Sequence, residues 1–123
     1  MGRLTTHVLD TTRGKPGYAI AVSLFRIEGE QRQSLKTVLT NDDGRCDHPL
    51  LENDEFKTGV YELVFAVGPY FAALEPSTSS AESGSEPRFL DDVVIRFGVS
   101  TADQHYHVPL LITPYSYSTY RGS

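Results

Sequence analysis

The chain has no tryptophan, one methionine and one cysteine, Cys46. A lone cysteine forbids an internal disulfide and fits a reducing compartment, so the cytoplasm is expected. No apolar run approaches the roughly 20 residues that a membrane span needs, which excludes a membrane helix. The opening MGRLTTHVLD lacks the apolar stretch of a signal peptide, and the closing residues are not a Ser-Lys-Leu address. Positive charge is scarce as well. Eleven Lys and Arg stand against 16 Asp and Glu, giving a net charge of −5 at pH 7. The basic residues are scattered rather than clustered, so nucleic acid is not an expected partner. There is no Gly-rich phosphate loop, no internal repeat and no interdomain linker.

What is present is an ordinary globular composition, 39% hydrophobic and 22% charged over 123 residues. That length supports one domain, residues 1–123, with its own core. The apolar residues recur with a period of two, which predicts strands. Strands are expected over Leu4–Asp10, Ala19–Phe25, Leu35–Thr40, a short piece of Arg45–Leu51, Gly59–Val67 and Phe89–Val99. His105–Ser123 is expected to form two more, split at Thr113-Pro114. Thr12–Gly17, Glu28–Glu30 and Asn41–Gly44 carry turn chemistry, with Gly44 suited to positive φ. Gly68-Pro69 is expected to end its strand. Tyr70–Leu74 has room for one or two helical turns before Glu75-Pro76, and Ser77–Pro87 reads as a Ser-rich surface loop. About eight short strands and one short helix make an all-β sandwich or barrel.

The polar residues concentrate in the tail HYHVPLLITPYSYSTYRGS. Strand alternation places Tyr106, Val108, Leu110 and Ile112 on a core face, and His105, His107, Pro109 and Leu111 on the other. In the first strand Thr6 and Val8 share one face, His7 and Leu9 the opposite one. A face that mixes histidine with leucine or proline suggests a covering subunit or ligand. Three readings stand side by side for these histidines. They could be cross-strand residues satisfied by neighbours. His105-x-His107, with His7 or His48, could hold a zinc ion with an open position. Or they could perform general acid–base chemistry. Arg45 is either an exposed residue after a turn or a fixed cation for an anionic, carbonyl-rich ligand. Cys46 reads as a small buried hydrophobe, and no serine lies in a nucleophile-elbow context.

Thr6-His7-Val8-Leu9-Asp10, Arg13-Gly14-Lys15-Pro16, Asp43-Gly44-Arg45, Thr58-Gly59-Val60-Tyr61 and the whole tail together resemble the transthyretin-like family, almost from end to end. The family's hormone-carrier branch has lysine where His7 stands, lacks the arginine of Arg45 and the histidine of His107, and does not end in Tyr-Arg-Gly-Ser. This chain has all four features of the other branch, which hydrolyses 5-hydroxyisourate, and Tyr120-Arg121-Gly122-Ser123 is the most specific of them.

The resemblance implies a two-sheet sandwich with a short helix after the fifth strand. It also implies a homotetramer, a dimer of dimers, whose central channel is lined by the non-core faces of the first and last strands. The implied reaction is ring-opening hydrolysis of 5-hydroxyisourate, with His7, Arg45 and His107 catalytic and no metal or organic cofactor. Ser118 and Tyr120, expected on one face of the last strand, would line the channel. Ser123, with its terminal carboxylate, would help to close the pocket. A small-molecule carrier using the same channel, and a zinc hydrolase built on His105 and His107, are the alternatives.

Overall fold

The computed structural model describes residues 2–74 and 87–123. Nine strands form among them: β1 Arg3–Asp10, β2 Lys15–Pro16, β3 Ala21–Glu28, β4 Gln31–Leu39, β5 Leu51–Glu52, β6 Gly59–Ala66, β7 Asp92–Val99, β8 His105–Ile112 and β9 Tyr117–Thr119. One helix, α1, spans Val67–Leu74, and Asn53–Glu55 makes a 3-10 turn. One sheet runs β2-β1-β8-β9, with β5 also paired to β1. The other runs β4-β3-β6-β7. The expected sandwich of short strands is therefore present. None of the described helices is long and apolar enough to cross a membrane.

The inner faces follow the alternation in the sequence. Leu4, Thr6, Val8 and Asp10 of β1 are buried, as are Tyr106, Val108, Leu110 and Ile112 of β8. Val22, Leu24, Leu63, Phe65 and Val93 oppose them from the second sheet. Each of the apolar side chains removed from water contributes about 1.5–3 kcal/mol. The two inward polar residues of β1 are satisfied locally. Thr6 Oγ1 donates to the Val108 carbonyl at 2.7 Å. The Asp10 carboxylate accepts from Tyr70 Oη at 2.8 Å and from the Thr12 and Arg13 amides. Asp10 thus ties the first turn to α1.

Several boundaries differ from expectation, β3 at Ala21–Glu28 and β7 at Asp92–Val99 among them, and three of the differences have plain physical reasons. β4 begins at Gln31, before Leu35, because Gln31–Ser34 form an exposed edge paired to Phe25–Glu28 and have no apolar partner to alternate with. The chain turns helical at Val67 and absorbs Gly68-Pro69, since proline in a first helical turn forfeits no hydrogen bond. Within Arg45–Leu51 only Leu51 joins a strand, and Arg45 makes a single bridge to His7. Residues 77–86 of the Ser-rich segment, and the expected helix stop at Glu75-Pro76, lie outside the described residues.

The pairing that matters most for function is β1 against β8. It is parallel over the full length of both strands, from Arg3 opposite His105 to Asp10 opposite Ile112. Thr5 and His107 are thereby side by side on the outward face of the sheet.

Candidate active site

The outward faces of β1 and β8 form the floor of a cavity of about 340 Å³, lined by Arg3, Thr5, Arg45, His48, His105, His107 and Ser123 among others. A volume of that order suits a small ring compound. Four of the elements that build it meet through backbone geometry.

Arg45 arrives through the turn Asn41–Gly44. The Asn41 side-chain oxygen accepts from the amides of Asp43 at 2.9 Å and Arg45 at 3.1 Å, and the Asn41 amide donates to the Arg45 carbonyl at 2.7 Å. Gly44 adopts φ +76°, and a Cβ there would run into the Val8 carbonyl oxygen. Only glycine allows the turn to come so close to β1. The Gly44 carbonyl accepts from Val8 N at 2.8 Å, which fixes Arg45 opposite His7. Among the described residues no carboxylate forms an ion pair with the Arg45 guanidinium. It is an exposed cation at the cavity wall.

His7 sits on the outward face of β1, two residues beyond Thr5. Its Nε2 lies 2.7 Å from the Asp43 carbonyl oxygen. A carbonyl can only accept, so Nε2 carries the hydrogen and the neutral ring has its lone pair on Nδ1. His7 is not among the cavity-lining residues; it flanks them, bridged to Arg45.

His107 lines the cavity and is held on two sides. Thr5 Oγ1 lies 2.8 Å from its Nδ1. On the other side Gly122 is bridged to it in the antiparallel sense, with Gly122 N donating to the His107 carbonyl at 2.7 Å. A Cβ at Gly122 would come within 3.2 Å of His107 Cβ and Cδ2. The tail therefore packs against the imidazole with no side chain in between, and carries Ser123 to the cavity edge. Arg121 anchors this turn of chain. Its guanidinium lies over the Tyr106 ring at 4.0 Å and donates to Gln104 Oε1 at 3.0 Å.

The histidines are kept neutral. His107 titrates below the ordinary 6.5 because burial disfavours its charged form, and Arg45, His105 and His7 repel a further proton. His7 is lowered by burial and then by Arg45, partly offset by the Asp43 carbonyl. His105 is lowered by burial, Arg3 and Arg121. Burial pushes the Cys46 thiol up to about 11, so it is no nucleophile at neutral pH and packs against the core.

Arg45, His107 and Ser123 thus meet at one cavity, and His7 adjoins it. Ser118 lies opposite Leu111 on β8, further along the strand and outside this cavity. Tyr120 is exposed and borders a second groove with Thr119 and Arg121. Sequence reading passed over Thr5, whose signal was only its place two residues before His7 on the same face. His105 and His107 point to one shared Thr5 hydroxyl. Among the described residues no group of three His, Cys, Asp or Glu side chains is arranged to hold a metal ion.

The fold and site define a transthyretin-like β-sandwich whose outward sheet face carries neutral histidines and an arginine at a small cavity. The sequence model of the HIUase/Transthyretin family matches residues 4–122, and the chain belongs to that family. The 5-hydroxyisourate hydrolase of Pseudomonas aeruginosa is 57% identical over all of this chain and 93% of its own length. Among solved structures, a Klebsiella pneumoniae 5-hydroxyisourate hydrolase superposes with a TM-score of 0.76 at 33% identity, with full coverage of both chains. An (S)-allantoin synthase superposes with a TM-score of 0.84 at 43% identity; the match covers 99% of this chain, which spans 44% of that longer one.

Proposed function

We propose that this protein is a hydrolase that opens the ring of 5-hydroxyisourate to give 2-oxo-4-hydroxy-4-carboxy-5-ureidoimidazoline in urate degradation. The observation that carries the reading is the meeting of an exposed Arg45 with neutral His107 at one cavity, His7 bridged beside them. A carrier for an apolar ligand has no use for two neutral imidazoles and a guanidinium at its binding face.

The substrate is a flat, oxygen-rich ring with an acidic NH. The Arg45 guanidinium holds its carbonyl and anionic edge and takes up charge as the oxyanion forms. His7 and His107 flank the lactam and a water. One of them removes a proton from the water as its oxygen bonds to the carbonyl carbon. The C–N bond of the ring then breaks, and the departing nitrogen takes a proton from an imidazolium. Both rings are suited to this, because each is neutral near pH 7 and each has one nitrogen fixed by a protein partner. No metal or organic cofactor enters this scheme.

The active form is a homotetramer, a dimer of dimers, in the cytoplasm. The half-apolar outer face of β1 and β8, with Leu9 and Leu111 beside the histidines, supports a second subunit across the cavity, and Ser118 and Tyr120 then contribute from the channel. The lone, half-buried Cys46 fits a reducing compartment. The test is an ultraviolet assay following decay of enzymatically generated 5-hydroxyisourate. Decay faster than the spontaneous rate, in proportion to protein, is expected; decay at the spontaneous rate would overturn the reading.

A further inference from the structure

Thr5 is the residue through which His105 and His107 communicate. Its Oγ1 lies 2.8 Å from His105 Nε2 and 2.8 Å from His107 Nδ1. A hydroxyl has one hydrogen to give and two lone pairs that accept. It can therefore donate to one of the two rings and must accept from the other, or accept from both. It cannot donate to both. The tautomers of the two histidines are coupled through a single proton.

We propose that Thr5 and His105 are positioning residues that hold His107 with its hydrogen on Nδ1 and leave Nε2 bare toward the cavity. The Thr5 hydrogen goes to His105 Nε2, and the oxygen accepts the Nδ1–H of His107. Three observations carry this assignment. First, Thr5 engages Nδ1 of His107, a residue that lines the cavity, and among the described residues no hydrogen bond engages its Nε2, so Nε2 is the nitrogen left for the cavity. Second, that cavity is lined by the Arg45 guanidinium. A cation favours a lone pair pointing toward it over an N–H. Third, Thr5 cannot swing away. Its backbone is fixed opposite His107 in the parallel β1–β8 ladder, and its branched side chain has little rotamer freedom.

A histidine free in solution prefers its hydrogen on Nε2, which would occupy the nitrogen that has to accept a proton. The Thr5–His105 pair reverses that preference. It plays for His107 the part that the Asp43 carbonyl plays for His7, with the opposite nitrogen fixed. The two rings thus present different nitrogens, Nδ1 of His7 and Nε2 of His107. This inference rests on the hydrolase reading for its kinetic consequences, whereas its tautomer content stands apart from it.

The experiment compares wild type, Thr5→Val, Thr5→Ser and His105→Phe. Imidazole 15N spectra at neutral pH report which nitrogen of His107 is protonated, and turnover of freshly generated 5-hydroxyisourate reports function. Wild type is expected to show Nδ1–H on His107. Thr5→Val and His105→Phe are expected to move the population toward Nε2–H and to lower kcat by about tenfold to a hundredfold, with KM within about twofold. Thr5→Ser restores both. His105→Phe keeps the Thr5 hydroxyl and covers the case in which Thr5→Val fails to fold. An Nε2–H tautomer in the wild type, or unchanged kcat in the folded variants, would overturn the proposal. If instead the wild type itself fails to speed substrate decay, the hydrolase reading falls, and the 15N spectra still decide the tautomer.

Discussion

His7 and Arg45 face each other across an antiparallel bridge, and the guanidinium helps to keep the imidazole uncharged. The same guanidinium acts on His107 from the cavity wall. One residue thereby acts on both histidines.

This arrangement predicts the pH profile. A base must be neutral to accept a proton, and the pKa values of His7 and His107 are both depressed below 6.5. The acid limb of kcat/KM should therefore fall below pH 6.5. Arg45→Gln removes a repelling charge, so the limb should move up toward 6.5 while kcat/KM drops by about 10²–10³-fold. Rates from pH 4.5 to 8 check both. Stability follows the same sign. The unfolded chain takes up protons first, so the contribution of these histidines is whole above pH 6.5 and is lost as pH falls through the folded values.

Gly122→Ala should damage turnover more than stability. The added Cβ, 3.2 Å from His107 Cβ and Cδ2, displaces the ring by a few tenths of an ångström. Misplacement on that scale is expected to lower kcat by about tenfold, with a melting temperature close to wild type. Stopped-flow kinetics beside thermal unfolding measures the split.

Removing Arg121–Ser123 should have a related outcome. The truncation deletes the guanidinium over Tyr106, the bridge to His107 and the Ser123 wall of the cavity, and leaves the buried faces of both sheets intact. A folded protein by circular dichroism with kcat/KM down by about 10²-fold is the expected result.

Gly44→Ala should act the other way. It forces an alanine to φ +76° against the Val8 carbonyl, so it should cost about 2 kcal/mol or more in urea unfolding and displace Arg45 as well.

These positions also separate what was legible in the sequence from what was not. The alternation in β1 and β8 revealed which face of each strand turns inward, because successive side chains of a strand point to opposite faces of the sheet. The first half of β4 was invisible, since Gln31–Ser34 carry no apolar pattern on an exposed edge. His7, Arg45 and His107 were recognisable from their motifs, and Arg45 and His107 do meet at the cavity. The part of Thr5 was not recognisable. It depends on the parallel register that sets Thr5 beside His107, and a register between strands so far apart in the chain leaves no local trace. The bridge of Gly122 to His107 was hidden too, because it is an isolated pairing outside any patterned strand.

The most direct measurement is turnover of freshly generated 5-hydroxyisourate by wild type and His107→Asn side by side, with both shown to be folded. Wild type should speed the decay well beyond the spontaneous rate, and His107→Asn should retain less than about 1% of that kcat. Equal turnover by the two proteins would contradict the role of His107 and the site built around it.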